Sequence, residues 1–416
     1  SNLALIGHSR GGEAVVHAAL FNKLPFYPDD ASVQFDYNYN IKSIVAIAPV
    51  DGQYEPADSR AEIADVDYFV IHGAQDGDVS SFMGSQQYER VTFKDSLYHF
   101  KSGVYVYGAN HGQFNTSWGN SDIANPFSGL LNLKQLLSAE DQKKIAQVYI
   151  NAFLDITLKN KSEYLPLFID ARRGKDWLPE TIYLNQFEDS NFEPVANFDE
   201  DFDVLTITQD GGEVNTKNLT VWREQEIHLK WQKKGSRALF VGWHYDLKNK
   251  KESIESVPDS QIASYTINLS STTIDSSAAL VFSMAESKES ANPKSEGKWL
   301  KNESNNSKKK EGRDKTKKPM DFTIRLTDSS EQQVYFPLSE FSPMQREIEV
   351  ILMKTEFIKD DKQSEMVFQT FYFPAKDFQK INPNFDLSSI EKISLIFDKD
   401  ESGVIAINDI GFMKSI

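Results

Sequence analysis

A serine framed by glycines, Gly7-His8-Ser9-Arg10-Gly11, is the first group in the chain whose residue types and spacing suit nucleophilic chemistry. An apolar run at residues 3–6 precedes it and a helix-like stretch at residues 13–22 follows, so Ser9 falls on a strand-to-helix turn. With no side chains at Gly7 and Gly11 that turn can be sharp, which leaves the Ser9 hydroxyl exposed beside the positive end of the helix. A hydroxyl is a weak nucleophile until a base takes its proton. Two later strand ends offer the partners. Residues 68–72 run into Gly73-Ala74-Gln75-Asp76-Gly77-Asp78-Val79, and residues 103–107 run into Gly108-Ala109-Asn110-His111-Gly112. The expected set is Ser9 as nucleophile, His111 as general base and Asp76 as the carboxylate that orients the imidazole, in the chain order Ser, Asp, His. The backbone N–H of Arg10 is the expected oxyanion donor.

Each of these residues has a plainer reading. Ser9 could be an ordinary helix N-cap or part of a phosphate-binding turn. Asp78 competes with Asp76; the H-G-x-x-D-x-x-V spacing through His72, Gly73, Asp76 and Val79 favours Asp76. His99 is the rival of His111, while His8, His17 and His72 read as packing or hydrogen-bonding residues. The Arg10 side chain could bind an acidic substrate group, but an ion pair with Glu13, one turn along, is preferred.

The elements that would carry this set alternate short apolar strands (residues 3–6, 41–49, 68–72 and 103–107) with helical stretches, ending in a helix over residues 139–159 behind a Ser138 N-cap. This pattern predicts an α/β fold with a parallel sheet over residues 1–178, with the site at the strand C-terminal ends. From about residue 179 to 416 the texture becomes period-two, and ten strands are expected in an all-β, two-sheet sandwich: 204–208, 226–231, 238–243, 264–269, 279–285, 322–326, 347–353, 366–373, 392–397 and 404–407. The Lys-, Ser- and Asn-rich residues 286–319 read as a disordered, solvated loop, with a polyanion-binding arm as the lesser reading.

Composition narrows the functions. The chain has 416 residues, 40% of them hydrophobic, and a formal net charge of -16, which argues against a nucleic-acid partner. No apolar run is long enough to span a bilayer. The absence of cysteine excludes disulfides, thiol nucleophiles and thiolate metal sites.

At the three strand-end motifs the sequence resembles the α/β-hydrolase superfamily, in particular its chlorophyllase, dienelactone hydrolase and polyester hydrolase branch. The string GHSRGG at residues 7–12 is similar to the chlorophyllase lipase motif, and HGAQDGDV and GANHG are similar to that branch's acid and histidine turns. The resemblance covers about the first 160 residues. It implies that strands preceding the nucleophile, the loop carrying a second oxyanion donor and any signal region lie upstream of residue 1, that the chain is the C-terminal half of such a domain, and that the piece alone could be inactive. It also implies cofactor-free hydrolysis of a carboxylic ester. Residues 370–374, 384–390 and 403–410 resemble the closing strands of jelly-roll domains attached to bacterial carbohydrate-active enzymes, which implies a possible glycan contact and a secreted or cell-envelope location. In that resemblance Asn408 and Asp409 fall where a calcium-binding Asp pair is often seen, and Trp222, Trp231 and Trp243 could make a sugar platform or, more plainly, core. Besides a serine esterase, two other functions fit: a prolyl-oligopeptidase-type peptidase, and a non-catalytic glycan-binding protein with a relic hydrolase domain.

Overall fold

Strand β1 (Leu3–His8) runs straight into helix α1 (Arg10–Phe21), and Ser9 makes the turn between them. A computed structural model of the chain describes residues 2–123, 127–247, 253–294, 318–354 and 363–414. The chain forms two units: Ser1–Phe192 with Glu226–Ser236 and Ile348–Thr370, and Glu193–Gln225 with Arg237–Glu347 and Phe371–Ile416. Two stretches from far along the sequence therefore belong to the first unit.

In the first unit, β1 is followed by β2 (Ile41–Ile47), β3 (Asp67–Gly73), β4 (Phe100–Val106), α2 (Ala139–Lys159) and β5 (Tyr183–Asp189). The sheet order is β1-β2-β3-β4-β5; the first four strands pair in parallel and β5 joins antiparallel at the edge. Strands β3 and β4 are buried along their whole length because both sheet faces are covered. Val16 and Ala19 of α1 pack with Ile44, Ala46, Tyr68 and Val70 on one side. On the other side Phe69 lies 5.8 Å from Tyr149 and 5.6 Å from Phe153 of α2, measured between ring centroids. The Ser138 hydroxyl caps α2 by accepting the Asp141 N–H, and Asn160 ends it in a left-handed conformation.

The second unit is built from β6 (Phe192–Ala196), β7 (Glu213–Lys217), β8 (Val221–His228), β9 (Lys233–His244), β10 (Ser264–Thr272), β11 (Ala279–Glu286), β12 (Thr323–Asp328), β13 (Gln333–Pro337), β14 (Gln369–Pro374), β15 (Ile390–Ile396) and β16 (Ser402–Met413). One sheet has the order β8-β9-β16-β11-β14, with β6 paired to β16; the other has the order β7-β10-β15-β12-β13. Alternate residues of facing strands make one core, such as Leu239, Val241, Phe282 and Ile407 from the first sheet and Tyr265, Ile324, Phe336 and Leu395 from the second.

The expected α/β class is overturned. Strand residues are 36% of the described residues against 22% in helix, so the described structure is mostly β. Antiparallel pairing prevails in the two sandwich sheets and enters even the first sheet through β5. The expectation weighted the first 160 residues, whereas the numerous β7–β16 strands, joined without long helices, set the class. Among the described residues there is no clear α/β-hydrolase parallel sheet. Residues 204–208 are turns rather than a strand, because Asp201 and Asp203 accept hydrogen bonds from Asp203 N, Leu205 N and Thr206 Oγ1. Of the expected loop at 286–319, residues 295–317 lie outside the described residues.

The tight approach at the Ser9 turn falls on Gly7 and Gly12 rather than on Gly11. A Cβ on Gly7 would lie 1.9 Å from the Gly11 carbonyl oxygen, and one on Gly12 would lie 2.6 Å from Pro49 Cβ, whereas one on Gly11 meets nothing within 4 Å. Gly7→Ala is therefore expected to lower unfolding stability by about 3 kcal/mol or to prevent folding. Gly11→Ala should be neutral or stabilising by up to about 1 kcal/mol, as for a helical glycine. Urea unfolding of both variants checks the contrast.

Candidate functional site

Ser9 sits at φ 59° and ψ −125°, a backbone conformation that a residue with a side chain rarely adopts. The turn is held by its N–H donating to the Ile47 carbonyl at 2.9 Å and its carbonyl accepting the Gly12 N–H at 2.9 Å. Arg10 opens α1, so its N–H is one of the first-turn donors without a helical acceptor. Its side chain is exposed and makes no pair with Glu13. Glu13 instead turns inward, where its carboxylate accepts the N–H groups of Gly52, Gln53 and Tyr54. Three backbone donors outbid one exposed cation because a carboxylate hydrogen-bonded inside the fold also avoids screening by water.

Asp76 and His111 meet. His111 Nδ1 and Asp76 Oδ2 are 2.8 Å apart, and the two residues are 2% and 1% exposed. The other Asp76 oxygen accepts the Asp78 N–H at 2.9 Å and the Val79 N–H at 2.7 Å, so the carboxylate is fixed by its own loop. Asp78 takes a different place, with a carboxylate oxygen 3.4 Å from His111 Nε2 and its side chain 57% exposed. His111 Nε2 itself has no hydrogen-bond partner, and no hydrogen bond joins it to the Ser9 hydroxyl. The Ser9 turn reaches His111 through its neighbour His8, whose ring lies 4.7 Å from the His111 ring between centroids.

The electrostatics separate these imidazoles. Burial pushes the Asp76 carboxyl up to about 6, against the opposing hydrogen bond from His111. Burial pulls His111 down, and the Asp76, Asp78 and Asp122 carboxylates more than reverse this, so His111 ends above its ordinary 6.5. Burial and the neighbouring His111 lower His8 to about 4 and His72 to about 3, which keeps both neutral. His72 Nε2 pairs with the Val79 carbonyl at 2.9 Å, a structural role. His99 stands at the other end of the sheet: it precedes β4 and approaches Asp95 at 3.2 Å and Asp67, the first residue of β3, at 3.8 Å. It cannot serve a site at the strand C-terminal ends.

Two residues absent from the sequence reasoning belong to this site. Asp122 accepts from Gly77 N, Asn110 Nδ2, His111 N and Gly112 N at 2.7–3.0 Å, which ties the acid turn to the histidine turn. Trp118, half exposed, stacks on His111 at 5.7 Å and lies 4.8 Å from His8. Neither carries a motif, since both come from an irregular loop whose path is set by these contacts.

A general base works only when neutral, so activity resting on His111 should rise with pH through its raised pKa. Asp78→Asn removes one of the carboxylates that raise it. The acid limb of a kcat/KM profile should then move to lower pH by about half a pH unit, the size expected for a largely exposed pair.

For a metal, one trio gathers its ligand atoms among the described residues: Asp65, Asp95 and His99, within 4.8 Å of one another. Its groups have partners in the fold, since Asp65 accepts the N–H groups of Lys94 and Asp95, and His99 pairs with Asp95. Asn408 is buried on β16, where its amide donates to Asp409. Of the tryptophans, Trp243 is fully buried, stacked at 4.2 Å on Phe397, and Trp222 packs partly buried against the same core. Trp231 is exposed in a stretch of the first unit. A platform needing three exposed tryptophan faces is therefore not formed.

No family model matches the chain, and no curated protein matches it. Among solved structures it is similar to a family 30 carbohydrate-binding module, at 13% identity over 54% of this chain and 85% of that one, with a TM-score of 0.26. It is also similar to a family 11 carbohydrate-binding module from Clostridium thermocellum in complex with a β-1,3-1,4-mixed-linked tetrasaccharide (8% identity, 55% and 98% covered, TM-score 0.26). A third is an exo-β-agarase (12% identity, 55% and 25% covered, TM-score 0.26). Among the described residues no helix is long and apolar enough to cross a membrane.

Proposed function

We propose that the chain carries a serine hydrolase site for carboxylic esters. Ser9 attacks the carbonyl, His111 takes its proton and returns it to the leaving alcohol, and Asp76 holds the imidazole in the required tautomer. The Arg10 N–H stabilises the oxyanion. The observation that carries this reading is the buried 2.8 Å pairing of His111 Nδ1 with Asp76, at the end of the sheet where Ser9 occupies a strained turn. The test is hydrolysis of p-nitrophenyl acetate and butyrate by the chain, beside a prolyl-dipeptidyl amide. Ester turnover with the amide untouched supports the esterase; cleavage of the amide alone turns the assignment to a prolyl-oligopeptidase-type peptidase.

A second reading keeps the chain as a glycan-binding protein without catalysis, and the two antiparallel sheets of the second unit favour it. Under either reading the substrate or ligand we propose is met outside the cytoplasm, as a polymer ester or a glycan. Binding of soluble β-glucans by the chain, measured by calorimetry while no ester is hydrolysed, would select the second reading.

A further inference from the structure

The turn that carries Asp76 is tethered by residues that arrive from more than a hundred positions away. Its first half is secured by residues of the same region: the N–H groups of Asp78 and Val79 donate to Asp76, the Val79 carbonyl pairs with His72, and Gly77 N donates to Asp122. Its second half is tied to distant residues through four groups, the Ser80 carbonyl and hydroxyl, the Ser81 hydroxyl and the Phe82 N–H. The Ser80 carbonyl accepts Lys230 Nζ at 2.6 Å, and the Ser80 hydroxyl accepts Trp231 Nε1 at 2.9 Å. Glu365, 5% exposed, accepts the Ser81 hydroxyl and the Phe82 N–H with its two oxygens, and the Lys230 N–H at 3.1 Å. All of these residues belong to the first unit, so the two inserted stretches, Glu226–Ser236 and Ile348–Thr370, meet each other and the acid turn at one carboxylate.

A buried carboxylate satisfied by three donors is costly to disturb, because removing it leaves all three donors unpaired. The fold uses it on the loop that carries Asp76, whose drift would move the carboxylate off His111. We propose that Glu365, supported by Lys230 and Trp231, is a positioning residue that holds Asp76 in hydrogen-bonding register with His111; the inference rests on the serine hydrolase reading. Displacement of an orienting group by about 1 Å costs on the order of 100-fold in rate. The effect should fall on kcat rather than KM, since the three bond to residues 80–82 and to one another rather than to Ser9, Arg10 or His111.

The test uses the full chain with p-nitrophenyl butyrate, measuring kcat, KM and the pH dependence of kcat/KM for Glu365→Ala and Glu365→Gln. Glu365→Ala is expected to lower kcat about tenfold or more with KM within about twofold. Glu365→Gln should lose less, because its amide oxygen still accepts the Phe82 N–H. In both variants the acid limb should move to lower pH, because His111 loses part of the carboxylate that raises it, while Asp78, Asp122, His8 and His72 still face it. A merely structural role would lower the melting temperature and the amplitude but leave the limb in place, and that result overturns the proposal. Should Glu365→Ala fail to fold, Trp231→Phe removes the indole N–H bound to Ser80, with the rest of its five-membered ring, from a side chain that is 66% exposed. It should lower kcat two- to threefold and move the limb the same way, and an unmoved limb there overturns the proposal equally. Hydrolysis that depends on Ser9 but is indifferent to Glu365 sinks this inference alone; absence of Ser9-dependent hydrolysis in the unsubstituted chain sinks the ester reading instead.

Discussion

Under the serine hydrolase proposal, Ser9→Ala is expected to reduce ester hydrolysis by about 10^6-fold in kcat, because removal of the proposed nucleophile leaves only substrate binding and the oxyanion donor to act. The backbone conformation makes the substitution informative. At φ 59° and ψ −125° the turn is set by Gly7, Gly12 and the Ile47 carbonyl rather than by the Ser9 side chain, which caps nothing. Alanine can occupy the same strained position at no added cost, so the variant should fold with unfolding stability within about 0.5 kcal/mol of the parent chain. Loss of turnover in a folded protein then reports chemistry and not collapse.

Asp76→Asn should cost about 10^4-fold in kcat, the loss expected when an amide replaces the carboxylate behind a catalytic imidazole. The amide can still accept one of the loop N–H groups, so the turn persists, but it can favour the wrong tautomer at His111 Nδ1. Asp78 provides the internal comparison. It lies two residues away and also approaches His111, yet on the Nε2 side and largely in solvent. Its amide variant should change the pH profile by a fraction of a unit and leave kcat at its plateau within a few fold. Comparable losses in the two variants, measured as kcat at saturating substrate, would mean that the carboxylates share the role and that the geometry at Nδ1 is not decisive.

The placement of the strand-end turns was legible because the signals for it are local. A glycine-framed serine, an acid turn and a histidine turn each follow an apolar run, and the structure brings Asp76 to 2.8 Å from His111. The helix at Ala139–Lys159 was legible for the same reason, through Ser138 and the acidic first turn. The class of the chain was not. Counting helices near the motif overlooks that the sandwich strands outnumber them, and an antiparallel edge strand such as Tyr183–Asp189 looks like any short apolar run. Contacts between distant positions were also illegible. Glu365 and Ser81 are 284 positions apart, and nothing in either neighbourhood signals the other. Glu13 misled for a related reason: helix spacing offers Arg10 as its partner, and only the folded path of residues 52–54 supplies three better donors. Trp243 illustrates the opposite case, where a strand tryptophan with period-two neighbours is core, as the pattern around it implies.

The most direct measurement is covalent labelling of the intact chain with a fluorophosphonate, followed by peptide mapping. One modified serine is expected, Ser9, labelled at a rate that rises with pH through the raised pKa of His111 and that falls sharply in His111→Ala. No labelling, or labelling at another serine with Ser9 unmodified, would contradict it.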